Sequence, residues 1–212
     1  MIARRFRGPA ESGNGGYSCG SFAGGGDAAV TLRLPPPLET PLLLDDGVVL
    51  DGERVVTEVE AGGVDLEPPP PVAWEEAVAA WSPDLTSPFP QCFVCGHARG
   101  GDAMHIHAGP VAGRGLVASP WEVRADQVGA AFLWAPLDCP GAYATGVPGR
   151  GVVVLGRLAA HVERVPGAGE RCVVTGWSLG SEGRKHEAGT AVFDESGGLV
   201  GVGRAVWIEP RV

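Results

Sequence analysis

Apolar and polar residues alternate in several short stretches of the chain, a period of two that is typical of half-buried β-strands. Near the N-terminus, Val30, Leu32 and Leu34 share one face of such a stretch. Near the C-terminus, Ala191 and Phe193 mark another. The alternation predicts two groups of antiparallel strands, one in each half of the chain.

Glycine-rich segments punctuate both groups of strands. Asp51-Gly52 and Ser196-Gly197-Gly198 lie between alternating stretches, which predicts hairpin turns. The segment GGYSCGSFAG precedes the first group and PGAYAT precedes the second, and each predicts a helix kept short by glycine. The same order, a short helix followed by strands, therefore occurs twice.

A proline-rich segment separates the two halves. It contains a tetraproline, which is an extended and stiff spacer, and a second group of prolines further on. We therefore expect three parts: a first unit at residues 1–67, a linker at residues 68–91 and a second unit at residues 92–212.

One short helix is predicted inside the linker. Trp74, Ala77, Val78 and Trp81 recur at the spacing of one helix face. Prolines on either side limit the length of this helix. We expect this face to be the packed side.

The glycine and proline content alone is typical of a low-complexity chain, but the hydrophobic content argues for a folded protein. The 212 residues include 34 glycines and 19 prolines, a share at which low-complexity chains begin. Hydrophobic residues nevertheless make up 44% of the chain, with 6 tryptophans, which is enough for a core. The glycines and prolines are therefore expected at the turns of a folded protein.

Charge and hydropathy exclude several classes of function. The net charge of −9 and the lack of a basic stripe disfavour a nucleic-acid partner. The longest apolar run, Ala130 to Ala135, is far short of the ~20 residues that span a bilayer, so we expect no membrane segment. No secretory signal follows the basic N-terminus, and the 5 cysteines are an odd number, so we expect a cytoplasmic protein with reduced thiols.

Three segments resemble a known family. CFVCGHARGGDAMHIHAG resembles the CxxCG turn and first strand of hotdog-fold thioesterases of the phenylacetate-pathway type. EGRKHEAGTAVFDESGGLVGVGRAVW resembles the hairpin that closes their sheet, and SGNGGYSCG resembles the start of their buried helix. The resemblance implies an α+β double hotdog, in which two fused copies each wrap an antiparallel sheet around a short central helix.

The resemblance also implies an activity. Family members cleave acyl thioesters at the seam between two hotdog units, where a helix N-terminus from one unit meets a carboxylate or amide from the other. This implies a hydrolase acting on acyl-CoA or acyl-carrier protein without metal or cofactor, and a homodimer of double hotdogs. A catalytically inactive acyl-thioester-binding protein is the alternative. A hydratase of the same fold is disfavoured, since neither helix start carries a histidine.

Asp138 is the first candidate for the catalytic carboxylate. It stands two residues before Pro140, a natural first helical residue, and could act as general base for water. Gly141 would give the substrate close access to the backbone, and Tyr143 would line the acyl channel. The alternative is that Asp138 only caps its helix.

Asn14 and Gly16 hold the corresponding place in the first copy. Asn14 is a good N-cap that could also orient a water or a carbonyl, and Gly16 could lend its N–H to an oxyanion. A glycine-rich turn without a catalytic role is the alternative.

Arg184, Lys185 and His186 form a tight cationic cluster. The resemblance implies that the matching residues lie near the phosphates of coenzyme A, where cations have an electrostatic advantage in an acidic protein. A solvated hairpin tip is the alternative.

Cys92 and Cys95 form a CxxC motif, and His105 and His107 could share one face of a following strand. Four such ligands could hold zinc. A single CxxC is a weak signal, so buried thiols are favoured and no metal site is assigned. Cys139 is likewise expected to be a small core residue.

Overall fold

The computed structural model describes residues 1–83, 87–147 and 151–211. All neighbouring strands in it run antiparallel and belong to one sheet. The strands are β1 (Ala28–Leu32), β2 (Leu43–Asp45), β3 (Val48–Asp51), β4 (Arg54–Ala61), β5 (Gly109–Pro110), β6 (Val117–Glu122), β7 (Val154–Val162), β8 (Arg171–Glu182), β9 (Lys185–Asp194) and β10 (Leu199–Ile208). Their order across the sheet is β2-β3-β4-β1-β7-β10-β9-β8-β6-β5.

Four α-helices and two 3-10 turns complete the described part of the chain. The helices are α1 (Gly15–Phe22), α2 (Trp74–Ala80), α3 (Ala130–Trp134) and α4 (Cys139–Ala144). The 3-10 turns are Arg4–Phe6 and Ala125–Gln127. None of the helices in residues 1–83, 87–147 and 151–211 is long and apolar enough to cross a membrane.

Strands β1 and β7 join the two halves of the sheet. Val30 of β1 lies opposite Leu158 of β7, and the other edge of β1 pairs with β4. Because the joining strands share backbone hydrogen bonds, the two predicted groups of strands form one continuous sheet. The pairing of β1 with β7 is the seam between the two halves.

The main core lies on one face of the sheet. Helix α1 packs on β1 and β7, and α4 packs on β8 and β9. Trp134, Phe93 and Leu137 are fully buried between the helices and the sheet. Helix α2 lies on the opposite face, since it packs with Val173, whereas the next residue, Val174, belongs to the main core.

The linker and the residues just before it cover the outer face of the second half. Val64 and Leu66 pack against a small cluster formed by Ala191, Phe193 and Val202. The predicted helix is present as α2, but part of the face that was predicted to be buried is exposed. Ala77 and Ala80 are buried, whereas Val78 and Trp81 are 49% and 40% exposed.

The second short helix is present where it is predicted, as α4, and an unpredicted helix, α3, precedes it. One further expectation needs correction. The segment after the CxxC motif is not a strand up to Ala108, and His105 has a φ of 56°, which breaks the alternation needed for a shared face. The strands of this region are β5 and β6 instead.

Candidate active site

Asp138 and Asn14 meet at the seam between the two halves. The Asn14 side-chain Nδ2 donates to Asp138 Oδ2 at 2.9 Å. The backbone N–H of Gly16 donates to the same oxygen, also at 2.9 Å. The three residues predicted as catalytic from the two copies are therefore in direct contact.

Asn14 can make this contact because an amide both accepts and donates. Its Oδ1 accepts from the Tyr17 N–H at 2.9 Å, which caps the start of α1. Its Nδ2 remains available to Asp138. One side chain thus fixes the helix start and the carboxylate of the other half.

Glycine permits the close approach of α1 to the segment that carries Asp138. A Cβ at Gly16 would lie 2.5 Å from Asp138 Cβ, and one at Gly20 would lie 2.6 Å from Trp134 Cβ. Both distances are shorter than real side chains tolerate. The two glycines, four residues apart on one helix face, therefore let the backbones pack directly.

The structure does not support the capping alternative for Asp138. Asp138 precedes α4, but its side chain makes no cap hydrogen bond to that helix. Asp138 is only 2% exposed, and within residues 1–83, 87–147 and 151–211 its Oδ1 has no hydrogen-bond partner. Burial raises the pKa of Asp138 to about 7, although the Gly16 N–H and the Asn14 amide favour the charged form.

A cavity of about 550 Å³ lies beside this contact. Both halves of the chain line it. Asn14, Gly15 and Leu32 come from the first half, and Asp138 and Tyr143 come from the second. Most of the remaining lining is apolar, including Leu34, Val153, Leu155, Trp207 and Ile208.

Three buried thiols form part of the cavity wall. The sulfurs of Cys92, Cys95 and Cys139 all lie within 4.8 Å of one another. Cys92 Sγ is 3.9 Å from Cys139 Sγ, and Asn14 Nδ2 lies 3.7 Å from Cys92 Sγ. Hydrogen bonds from the Cys139 and Cys95 thiols are the main cause that holds the pKa of Cys92 well below its usual range.

The histidines proposed as partners of the CxxC motif lie elsewhere. His105 and His107 face each other with ring centroids 6.0 Å apart, and Trp81 packs on His107. In the described part of the chain, the group of potential metal ligands consists of the three thiols alone. Sequence reasoning missed Cys139 as the third member, because nothing in the sequence shows that α4 starts beside the CxxC turn.

The predicted substrate-binding residues of α4 lie in different surroundings. Tyr143 lines the cavity, and burial raises its pKa. Gly141 lies outside the lining and against the sheet, where a Cβ would be 3.1 Å from Trp207 Nε1 and 3.2 Å from Thr190 Cγ2. Its lack of a side chain serves the packing of α4 on β9 and β10.

The cationic cluster lies at the tip of the β8–β9 hairpin, outside the cavity lining. Arg184 donates to the Glu209 carbonyl oxygen at 2.7 Å, and His186 Nε2 lies 2.7 Å from Glu209 Oε1. Lys185 is exposed. Glu209 stands between two lining residues, so the cluster borders the rim. Sequence reasoning missed Arg33, which does line the cavity.

Two solved structures are similar to nearly the whole chain. One is a predicted thioesterase from Novosphingobium aromaticivorans, 13% identical, with 99% of this chain and 94% of that chain covered and a TM-score of 0.64. The other is the tesB protein of Mycobacterium avium subsp. paratuberculosis, 13% identical, with 96% and 89% covered and a TM-score of 0.59.

A shorter match is the phenylacetic acid degradation protein PaaI from Thermus thermophilus. It is 25% identical and covers 45% of this chain and 86% of its own, with a TM-score of 0.41. No protein-family model and no curated protein matches the sequence. The whole-chain likenesses extend across both halves of the sheet, and the chain therefore has the double-hotdog fold, with two hotdog units fused in one polypeptide.

Proposed function

We propose that this protein hydrolyses acyl thioesters, with the acyl group held in the cavity between the two units. One observation carries the proposal. The Asp138 carboxyl group is fixed by the side chain and backbone of the opposite unit, at the wall of a largely apolar cavity. A carboxylate, a helix N-terminus and room for an acyl chain are what this reaction needs.

Asp138 acts as the general base. Its Oδ2 is held by Asn14 and Gly16, so Oδ1 is the oxygen that accepts a hydrogen bond from water. As the water oxygen attacks the thioester carbonyl carbon, its proton passes to Asp138. The carbon–sulfur bond of the tetrahedral intermediate then breaks, and the proton goes to the departing sulfur. The products are a carboxylic acid and a thiol.

The N-terminus of α1 stabilises the oxyanion of this intermediate. The first N–H groups of a helix have no partner inside it and carry partial positive charge. The Gly16 N–H, first expected to serve here, already binds Asp138. We assign the oxyanion to the N–H of Gly15, the first helical residue and part of the cavity lining. Gly16 and Asn14 are positioning residues.

The cavity sets the class of substrate. Its volume of about 550 Å³ and its aliphatic walls fit an apolar acyl group, and no phosphate would be stable among them. The thiol end of the substrate must therefore reach the surface. Outside the apolar part of the cavity, a carrier with phosphates would meet Arg33, an exposed residue of the lining, and Arg184 and Lys185 beside the rim, which favours acyl-CoA.

We place the protein in the cytoplasm and propose that it forms a homodimer of double hotdogs. All 5 cysteines are free, which fits the reducing cytoplasm. Strand β2 is an outer strand of the sheet and exposes Leu43 and Leu44 at 62% and 56%, which gives a second double hotdog an apolar edge to meet.

A thiol-release assay across acyl-CoAs of increasing chain length tests the function. We expect turnover that depends on chain length, and the same acyl group on an acyl-carrier protein should be a poorer substrate. Binding of acyl-CoA without release of thiol across the panel would contradict hydrolysis and support a binding protein. Faster turnover of the carrier-protein substrate would contradict the assignment of coenzyme A.

A further inference from the structure

The proposed reaction leaves the three buried thiols of the cavity wall without a role. Cys92 and Cys95 lie in the turn formed by residues 92–96, and Cys139 is the first residue of α4. The backbone brings them together from separate parts of the second unit. All three belong to the cavity lining. Three sulfurs that meet at one point are more than core packing requires.

The turn around Cys92 is built to surround a sulfur with donors. The Gly96 N–H donates to the Cys92 carbonyl oxygen at 2.9 Å, which closes the turn. A Cβ at Gly96 would lie 2.5 Å from Cys92 N and O, so only glycine fits there. The backbone N–H groups of Cys95 and Val94 donate to the Cys92 side chain.

The Asn14 side chain adds an N–H donor beside the same sulfurs. Asn14 Nδ2 lies 3.7 Å from Cys92 Sγ and 3.8 Å from Cys139 Sγ. N–H groups directed at sulfur favour a thiolate over a thiol. Several thiolates at one buried point repel each other, however, unless a cation lies between them.

We propose that Cys92, Cys95 and Cys139 bind a Zn²⁺ ion through three thiolates, with the fourth coordination position open to the cavity. A tetrahedral site with Zn–S bonds of ~2.3 Å has sulfurs about 3.8 Å apart. The Cys92 and Cys139 sulfurs are 3.9 Å apart, and no pair in the group exceeds 4.8 Å.

The number of ligands indicates the kind of site. Closed structural zinc sites use four protein ligands, whereas three ligands and an exchangeable position are typical of open ones. Within residues 1–83, 87–147 and 151–211, no histidine or carboxylate joins the three thiols. The fourth ligand is then a water, or the sulfur of a thiol that enters the cavity.

Zinc fits this donor set better than the other chemistry of paired cysteines. A disulfide needs sulfurs about 2.05 Å apart and would leave the third thiol unpaired. Calcium and magnesium require oxygen ligands. Three thiolates suit a borderline-soft ion such as Zn²⁺. Bound there, it would tie the 92–96 turn to the start of α4, which follows Asp138 directly.

Metal analysis of the purified wild-type chain, prepared without added metal, tests the site. We expect about one zinc per chain by mass spectrometry. After removal of metal with a chelator, titration with Co²⁺ should give the thiolate-to-cobalt charge-transfer band and the visible bands of a tetrahedral ion. Because both readouts are independent of thiol release, the site and the proposed hydrolysis can fail separately.

Variants locate the ligands. Cys92→Ser and Cys139→Ser should lose the zinc and at least tenfold in Co²⁺ affinity. Cys172→Ser is the matched control, since Cys172 is also fully buried but lies in β8, outside the group. Cys172→Ser should keep both the zinc and the wild-type affinity for Co²⁺. Two results would overturn the proposal: a wild-type chain that binds neither metal, or a disulfide between two of the three cysteines. If the two ligand variants do not fold, the wild-type cobalt spectrum alone decides.

Discussion

The side-chain amide of Asn14 donates to Asp138 Oδ2 at 2.9 Å across the seam between the two hotdog units, although the residues are 124 positions apart in the chain. Asn14 also caps α1, so the position of the helix and that of the carboxylate depend on one side chain. In the proposed function this contact determines which oxygen of Asp138 faces the water. Loss of the helix cap and loss of the contact with Asp138 should therefore have effects that can be measured separately.

Asn14→Ala should lower both stability and activity. It removes a helix cap worth ~1 kcal/mol and the donor that holds Asp138. Asn14→Ser retains a capping oxygen but lacks the amide, so we expect most of the stability to return while the rate stays low. Melting temperatures and kcat for one acyl-CoA measure the two effects. Wild-type kcat in both variants would refute the positioning role.

Gly16→Ala should disrupt the close contact between the two units at the site. Its Cβ would meet Asp138 Cβ and the Trp134 carbonyl oxygen, each at 2.5 Å, and neither can move freely in the core. Overpacking of this kind costs about 1–3 kcal/mol, and we expect kcat to fall with it. Denaturant unfolding measures the loss. Gly26→Ala is the control, since no heavy atom of the described residues lies within 4 Å of the Cβ that it would add. An equal effect of the two substitutions would count against direct helix packing.

Substrates with and without phosphates test whether Arg33, Arg184 and Lys185 bind the phosphates of the carrier. Arg33→Ala, and the double variant of Arg184 and Lys185 to Ala, should raise KM for acyl-CoA more than for a thioester of a short thiol without phosphates. Loss of a phosphate contact has no consequence when the phosphate is absent. Arg54→Ala, on an exposed hairpin, is the control. Equal changes in KM for both substrates would exclude an electrostatic role of these cations.

The seam should become less stable at alkaline pH. Asp27 Oδ2 lies 2.7 Å from His161 Nδ1, and this hydrogen bond is the main cause that raises the pKa of His161. Because the folded-state pKa is raised, the contribution is complete below the ordinary value of about 6.5 and is lost as pH rises through the raised value. Asp27→Asn keeps an acceptor for the Val162 N–H but removes the charge.

The measurement is the melting-temperature difference between wild type and Asp27→Asn at pH 5.5 and pH 9. We expect a difference at the lower pH that shrinks at the higher one. Both side chains are more than a third exposed, so the effect should be small and should weaken with salt. A difference that grows with pH would contradict the assignment.

Local features of the sequence predicted most of the fold. Alternation located the strands around Val30 and Ala191, and glycine located hairpins and helix ends, because these signals arise within a few residues. The buried face of α2 was harder. Alanines and larger residues lie on several sides of that helix, and only its packing on the sheet shows that Ala80 is buried and Val78 is exposed.

The sequence predicted residues of the candidate site but not how they are arranged in space. Asn14 and Asp138 stand out as polar residues at helix starts, yet nothing local shows that they touch. The cysteines illustrate the same limit. Chain proximity joined Cys92 to His105, whereas the structure places the Cys92 sulfur 3.9 Å from that of Cys139, 47 residues away. Long-range pairing follows from how the two units fold together.

The central claim is that Asp138 removes the proton of the attacking water, and the turnover of Asp138→Asn tests it most directly. The asparagine oxygen can still accept from Asn14 and Gly16, so the melting temperature should stay near that of wild type. We predict that kcat for acyl-CoA hydrolysis falls by at least ~10²-fold, the usual contribution of a general base. A folded Asp138→Asn protein that hydrolyses acyl-CoA within a few-fold of the wild-type rate would contradict the account.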